Sequence, residues 1–428
     1  MRKTYHLITF LFLSFVCLYA QTTREEVYQT IEKTGGVYYA YPAHEITPQT
    51  PAPKGYKPFY ISHVSRHGSR YLIDDESYQK PLKLLADADK ANALTSLGKD
   101  VYARLQKVWE EAEGRGGDLS PLGVREQRGI AERMYTSFPE VFAGNAPISA
   151  RSTLVVRCVL SMDAFCERLK ELNPSLQTTR EASNRYMPYL NNHTEAALEF
   201  RRSPDTWREQ YRKFEEEHVK PDRLVSLIFS DQDFITKRVN PKSFMWSMFN
   251  IANNTQNMET DVCLYDLFEK EELFDLFQCV NYSVYVQDAN AALNGGIMME
   301  NAKPFVKNII DSANEAIASG KNSATLRFAH DGNLIPLALL MHLDGCYNSV
   351  ADPADFYKAF STFKVAPMAG NIQIIFFRKN ESDDILVKFL HNEKETFIPP
   401  VESDILPYYH WKDIESFYTQ LLHTSFGN

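Results

Sequence analysis

The sequence predicts an α/β fold: a mostly parallel sheet core flanked by helices, with an α-helical segment inserted into it. Two runs of strand formers, Pro58–Val64 and Thr325–Phe328, pass straight into a polar turn and then into a helical pattern. That strand-to-loop-to-helix unit is what parallel sheets are built from. Helical apolar spacing also separates the other strand candidates. Residues 193–280 break the alternation, because they are rich in Arg, Glu, Phe and Trp and carry helical patterns with few strand-like runs.

The elements follow in order. Met1-Arg2-Lys3, the apolar run Leu7–Leu18 and the small residue Ala20 have the form of a secretory leader. Cleavage is expected after Ala20, with export to the periplasm or out of the cell. The run is too short to span a bilayer comfortably, and no later stretch reaches transmembrane length. Cys17 leaves a lipid anchor open, although Phe15-Val16 is bulky where such sites carry small residues. A short polar helix is expected over Thr23–Lys33, and helices over Ser77–Ala88 and Leu94–Glu113. Another starts at Ser120-Pro121, a cap followed by proline at the first helical position, and runs to about Phe138.

A strand at Ala146–Ala150 leads through Arg151-Ser152-Thr153 into a helix ending near Leu172. In that helix Leu154, Val155, Cys158, Val159, Met162, Phe165, Cys166 and Leu169 repeat at three and four and define a core face. Pro304–Ser319 reads as an amphipathic helix. Asn322–Ala329 reads as a strand followed at once by a helix over Leu334–Leu343. Asn371–Arg378 and Ile385–Leu390 are further strands, and Ile414–His423 is a closing helix. The division expected is a leader over 1–20, a core over 21–180, a helical cap over 181–295, and the rest of the core over 296–428.

Composition narrows the function. The 428 residues are 44% hydrophobic and 24% charged, ordinary for a chain that buries a real core. The formal charge of −9 argues against nucleic acid, whose binding needs Lys and Arg to neutralise phosphates. It leaves room for an anionic small molecule, since clustered arginines make a positive site on a negative body. Cys158 and Cys166 stand eight residues apart in one helix, about 12 Å by helical rise, too far for a disulfide. An odd number of cysteines after Ala20 leaves at least one thiol free or paired between chains.

The chemistry gathers in three segments. The first strand ends in Ser65-Arg66-His67-Gly68-Ser69-Arg70, two guanidinium forks around an imidazole, with a glycine that admits a ligand close to the backbone. Arg157 lies near the start of a helix, in its second turn by this reading, where the positive helix end favours anions. The later strand ends in His330-Asp331. Bland alternatives exist for the first two, a basic surface turn and an arginine that snorkels to solvent, and the spacing of His63 and His67 would suit a metal on a helix but this segment reads as a strand. Together, however, the groups suffice for phosphomonoester hydrolysis. His67 attacks phosphorus, Arg66, Arg70 and Arg157 hold the oxygens, and Asp331 protonates the leaving alcohol.

Arg66-His67-Gly68-Ser69-Arg70 with a distant His330-Asp331 resembles the histidine acid phosphatases. That branch of the histidine phosphatase superfamily includes phytases and multiple inositol polyphosphate phosphatases. Arg151-Ser152-Thr153 to Arg157 and Ser161, Leu119-Ser120-Pro121-Leu122-Gly123 through Gln127, and Ala366–Gln373 are similar to further family segments, in the same order. The resemblance implies a phosphoglycerate mutase-like core with a helical cap between Arg157 and His330. It implies His67 as the phosphorylated nucleophile, Asp331 as proton donor, and Arg66, Arg70, Arg157 and His330 as phosphate ligands. No cofactor or metal is implied, and the partner is a small phosphomonoester, phytate among the candidates; the chain itself is expected to be a monomer. Two departures stand out. Leu72 occupies a position where the family often has proline, and His330-Asp331 follows the acid phosphatases and phytases rather than the His-Ala-Glu of the inositol polyphosphate branch. Asp74-Asp75-Glu76 also follows the loop where a polyanion pocket would favour lysines. An exported ligand-binding protein, or an inactive relative of the phosphatases, is the competing reading.

Overall fold

The computed structural model describes residues 22–42, 48–380 and 382–427. The expected leader and Cys17 lie outside these residues. A single sheet forms the centre, from β1 (Tyr56–Arg66), β2 (Pro147–Ser152), β3 (Gln177–Ala182), β4 (Ala324–Ala329), β5 (Asn371–Lys379), β6 (Ile385–His391), β7 (Lys394–Thr396) and β8 (Tyr408–His410). The spatial order is β3-β2-β4-β1-β5-β6-β7, with β8 also paired to β6.

β1 forms because β-branched and aromatic residues alternate along it. Tyr60 and Val64 enter the core on one face, while Ile61 enters the core on the other. β5 repeats the pattern, with Ile372, Ile374 and Phe376 on the first side and Ile375 and Phe377 on the second. Both faces are therefore covered, as expected where helices flank a sheet. One cover is made by α1 (Pro121–Ser137) and α2 (Val156–Leu172), whose Ile130, Met134, Phe165 and Leu169 join Ile61, Leu326 and Phe328. Their N-termini differ: Ser120 caps α1 through its side chain, whereas Val155 opens α2 without a side-chain cap.

The α/β class is the one observed, but the parallel character covers only part of the sheet. β3, β2, β4 and β1 run parallel. β5 is antiparallel to β1, and β6, β7 and β8 continue antiparallel. For β6 the reason is connection length. The few residues between Lys379 and Ile385 allow a hairpin, whereas a parallel return needs a crossover of a dozen or more. β3 escapes the sequence reading because Gln177-Thr178-Thr179-Arg180-Glu181-Ala182 is a polar, mostly exposed edge strand, identified by its pairing with β2 and not by hydrophobic pattern.

Between β3 and β4 the longer elements are all helices: α3 (Glu195–Arg202), α4 (Arg208–His218), α5 (Asp222–Ile228), α6 (Gln232–Arg238), α7 (Pro241–Thr255), α8 (Lys270–Asp288) and α9 (Lys303–Ser319). Many of their aromatic residues are core: Phe214, Phe244, Phe249, Tyr282 and Tyr285 pack in the larger hydrophobic cluster. β4 is followed at once by α10 (Asp331–Leu340), and the chain closes with α11 (Trp411–His423). Cys158, Cys166, Cys263, Cys279 and Cys346 are free thiols. Among the described residues no helix is long and apolar enough to cross a membrane.

His63 shows what the core demands. It is fully buried, its ring 5.0 Å from that of Phe165 and 6.0 Å from that of Phe328, and neither ring nitrogen has a hydrogen-bond partner. It is a core histidine and not part of a metal pair with His67. Burial pushes its pKa down to about 3. The unfolded chain takes up a proton on this ring below about pH 6.5 while the folded chain does not. Stability is therefore lost as pH falls from that value toward 3, by about 2 kcal/mol from this group alone at pH 5. His63→Leu should shrink the drop in urea midpoint between pH 7 and pH 5 relative to the parent, as measured by equilibrium unfolding at both pH values.

Candidate active site

Strand register brings the polar residues together. Arg66 pairs with Ala329 across β1 and β4, and Ser152 pairs with Phe328 across β2 and β4, so three strands end at one level. The next residues in each chain segment, His67, His330 and Thr153, emerge side by side. The His67 N–H donates to the Ala329 carbonyl at 3.0 Å and the Thr153 N–H to the Phe328 carbonyl at 3.1 Å. Arg157 sits in the first turn of α2, one turn earlier than the sequence reading placed it, because the helix opens at Val156 and not at Thr153. All six candidate residues, Arg66, His67, Arg70, Arg157, His330 and Asp331, converge at this edge.

Each arginine is pinned by a backbone carbonyl. Arg66 is completely buried; its Nη1 donates to the carbonyls of Val37 and, at 2.9 Å, Ala366, and its Nη2 lies 3.2 Å from Asp331 Oδ2. Arg70 Nη1 donates to the Tyr71 carbonyl at 2.8 Å, and its guanidinium lies 4.7 Å from the Tyr38 ring centroid. Arg157 Nη1 donates to the Gly117 carbonyl at 3.3 Å. The Nε groups of all three are buried without a hydrogen-bond acceptor. Unmet buried donors on three neighbouring cations define an anion site.

The imidazole at the centre has a fixed tautomer. His67 Nδ1 lies 2.9 Å from the Gly68 carbonyl, which can only accept, so Nδ1 carries the proton. In the neutral ring, Nε2 then keeps its lone pair. Burial, followed by the charges of Arg66, Arg70 and Arg157, holds the His67 pKa well below its ordinary value, so the ring is neutral across the physiological range. The His330 ring stands 5.6 Å away, its Nε2 3.2 Å from Thr153 Oγ1. Burial and the charge of Arg157 push the His330 pKa down to about 4. For Asp331, burial acts upward, but Arg66, Arg70 and His330 outweigh it and leave the carboxyl below its ordinary value.

Several supports were not singled out from sequence. Glu126 on α1 accepts from the Ser69 N–H and the Ser69 hydroxyl at 2.7 Å each, and from the Tyr41 N–H at 2.8 Å. Burial pushes its pKa up to about 7. Its neighbour Gln127 donates to the Arg66 carbonyl at 2.9 Å. The signal was there: Gly123, Glu126, Gln127, Ile130, Ala131 and Met134 form one buried helical stripe, and a carboxylate on such a stripe must meet donors. Val37 and Tyr38, which touch Arg66 and Arg70, carry no motif. Asp74 and Asp75 are engaged locally. Asp74 accepts from Ser77, and Asp75 accepts from the Gly114 and Gly116 N–H groups, so this acidic run ties down a loop and a helix start. Leu72 is buried, with its N–H bonded to the Tyr78 hydroxyl at 2.7 Å, which sets the loop's course without proline.

Residues 60–392, well over half of the chain, match the model of the family described as "Histidine phosphatase superfamily (branch 2)". A chicken (Gallus gallus) protein, multiple inositol polyphosphate phosphatase 1, is 23% identical over 394 residues, covering 86% of this chain and 83% of that protein. The Bifidobacterium longum multiple inositol polyphosphate phosphatase in complex with phosphate superposes with a TM-score of 0.69 at 17% identity, covering 90% of this chain and 97% of that one. The phytase from D. castellii superposes with a TM-score of 0.65 at 14% identity, covering 92% and 86%. These structural likenesses are of fold.

The loop's shape depends on a contact between two glycines. A β-carbon on Gly68 would sit 2.6 Å from Gly123 Cα, and one on Gly123 would sit 2.7 Å from the Ser69 nitrogen. Both obstacles are backbone, so neither can swing aside. Gly123→Ala should destabilise the protein by about 1–3 kcal/mol, read as a lower urea midpoint at unchanged slope. Gly129→Ala, on the same helix but facing only the flexible Arg133 side chain, is the control and should be neutral or slightly stabilising.

Proposed function

The chain belongs to branch 2 of the histidine phosphatase superfamily, and from that premise we propose that it hydrolyses phosphomonoesters through a phosphohistidine on His67. The observation that carries this reading is the bond from His67 Nδ1 to the Gly68 carbonyl at 2.9 Å, which leaves Nε2 as an unprotonated nucleophile amid three arginines. Nε2 attacks phosphorus while Arg66, Arg70, Arg157 and His330 hold the non-bridging oxygens and balance their charge. The ester oxygen departs with the bonding pair and takes a proton from Asp331. In the second half, the Asp331 carboxylate draws a proton from water, whose oxygen attacks phosphorus. The phosphorus–nitrogen bond breaks, Nε2 recovers its lone pair, and inorganic phosphate leaves.

Asp331 must be protonated for the first half, yet the arginines of the free protein favour its ionised form. A phosphoryl dianion entering among Arg66, Arg70 and Arg157 offsets the charge that depresses this carboxyl. Its proton affinity therefore rises as substrate binds. The arginines also supply the positive charge that a metal would otherwise bring.

Inositol phosphates, phytate included, are the substrate class we put first. The names of the similar proteins support it, as does the anion site built from Arg66, Arg70 and Arg157. The leader pattern of residues 1–20 supports an enzyme that works in the periplasm or outside the cell. All six groups come from one chain, so the proposed chemistry needs no second subunit.

Two experiments test the mechanism. After rapid mixing with labelled substrate and denaturation, the enzyme should carry acid-labile, alkali-stable label, and His67→Ala should carry none. Label retained by His67→Ala would overturn the assignment. The second separates acid from anion ligand, because a general acid matters most for a poor leaving group. Asp331→Asn should lower kcat/KM for an alkyl phosphate by about 10²–10⁴-fold and for nitrophenyl phosphate far less. Arg157→Ala should lower both in similar proportion, since it holds the phosphoryl group that the two share.

A further inference from the structure

Beside the anion site lies a cleft of about 340 Å³ with a different chemistry. Tyr38 joins the two: its ring lines the cleft, and the ring centroid stands 4.7 Å from the Arg70 guanidinium. One wall is the segment from Leu72 to Lys80, and the other is one face of α7. Asn254, on α7, clamps the walls together. Its Nδ2 donates to the Arg70 carbonyl at 2.9 Å, and its Oδ1 accepts from the Tyr78 hydroxyl at 2.5 Å. Asn250, Trp246, Ser247 and Ser243 precede Asn254 at helical steps of three and four, so they continue that face away from the loop. A phosphoryl group held by Arg70 therefore has this cleft next to it, where the alcohol it is esterified to can lie.

The lining suits hydroxyls and carbon better than further phosphates. Ser243, Ser247 and Asn250 offer neutral donors and acceptors. Trp246 is fixed by its Nε1, which donates to Glu215 Oε1 at 2.9 Å, so its polar edge is already engaged and its ring carbons are what the cleft receives. The charged groups are two carboxylates, Asp74 and Glu76, against one ammonium, Lys80, and they leave the lining net negative. Lys80 Nζ is itself paired, 3.2 Å from Glu76 Oε1. Asp74 accepts from the Ser77 N–H and hydroxyl at 2.8 Å each, bonds that hold its carboxyl below the ordinary range and keep it charged. We propose that this cleft takes the leaving group and selects ring polyols with most hydroxyls free, so that a lightly phosphorylated inositol is preferred to phytate. The inference rests on the phosphomonoesterase reading above and narrows its substrate class. Each additional phosphate on the ring brings a dianion toward Asp74 and Glu76, a like-charge contact that counts against it. A free hydroxyl meets Ser247 or Asn250 instead and gains a hydrogen bond.

The test compares kcat/KM for glycerol phosphate, an inositol bisphosphate and phytate. Glycerol phosphate is the reference, because its small leaving group cannot fill the cleft and it reports the anion site that all three share. Relative to it, the parent should favour the bisphosphate over phytate. Asn250→Leu, a change at an exposed helix position, should lower the bisphosphate ratio by about 3- to 10-fold through the lost hydrogen bond, and the phytate ratio less. Glu76→Lys, also exposed, should raise the phytate ratio by about threefold or more and the bisphosphate ratio less, with Glu76→Gln in between. High salt should shrink that gain, because it screens charges at an open rim. A merely structural effect would move all three substrates together and leave the ratios alone. A parent that favours phytate, or variants whose ratios stay at the parent's values, would overturn the proposal while leaving glycerol phosphate hydrolysis, and with it the reading of the anion site, intact. Failure to hydrolyse any of the three would sink that reading and the cleft's role with it.

Discussion

Three guanidinium groups share one pocket, and each is held by the oxygen of a peptide carbonyl: Val37 and Ala366 for Arg66, Tyr71 for Arg70, Gly117 for Arg157. Carbonyl oxygens orient a guanidinium without cancelling its charge. A carboxylate in each of those places would have made a more comfortable core and a useless anion site. Asp331, 3.2 Å from Arg66, is the exception. The strand register, the glycine contact and the buried carboxyl of Glu126 all serve to keep like charges where they would not gather unaided.

The cost of that arrangement is spread through neutral groups. Glu126 accepts from the Ser69 N–H and hydroxyl and from the Tyr41 N–H, and burial pushes its pKa up to about 7, so at mildly acidic pH it does not subtract a full charge from the arginines. Burial, and then the same field, keeps the His67 ring neutral under conditions where an exposed histidine would be cationic. Burial and the positive field make the imidazole neutral, and the Gly68 carbonyl fixes its tautomer. The protein as a whole carries a formal charge of −9, so the positive potential is local to this edge of the sheet.

The motif residues were legible because they interrupt a pattern. Strand formers that end abruptly in Arg66-His67-Gly68 and in His330-Asp331 mark two strand ends, and the hydrophobic stripe of α2 places Arg157 beside them. Their convergence depends on register, a property of pairs of strands that no single segment carries. The polar edge strand β3 and the short β7 and β8 had no pattern to read, since pairing rather than burial defines them. Val37 contributes a carbonyl, which every residue possesses, so its identity could not announce its role. Glu126 could have been found by asking which charged residue falls on a buried helical stripe.

One consequence follows from how Arg66 is held. Its two carbonyl partners lie 29 residues before it and 300 residues after it in the chain. A nascent polypeptide therefore carries the arginine long before the second clasp has been synthesised. Until residue 366 emerges and its segment docks, the guanidinium has no reason to leave water, and the pocket has no floor. Chemistry at this edge is in that sense a proof of completion: a fragment lacking either distant segment has the motif but not the machine.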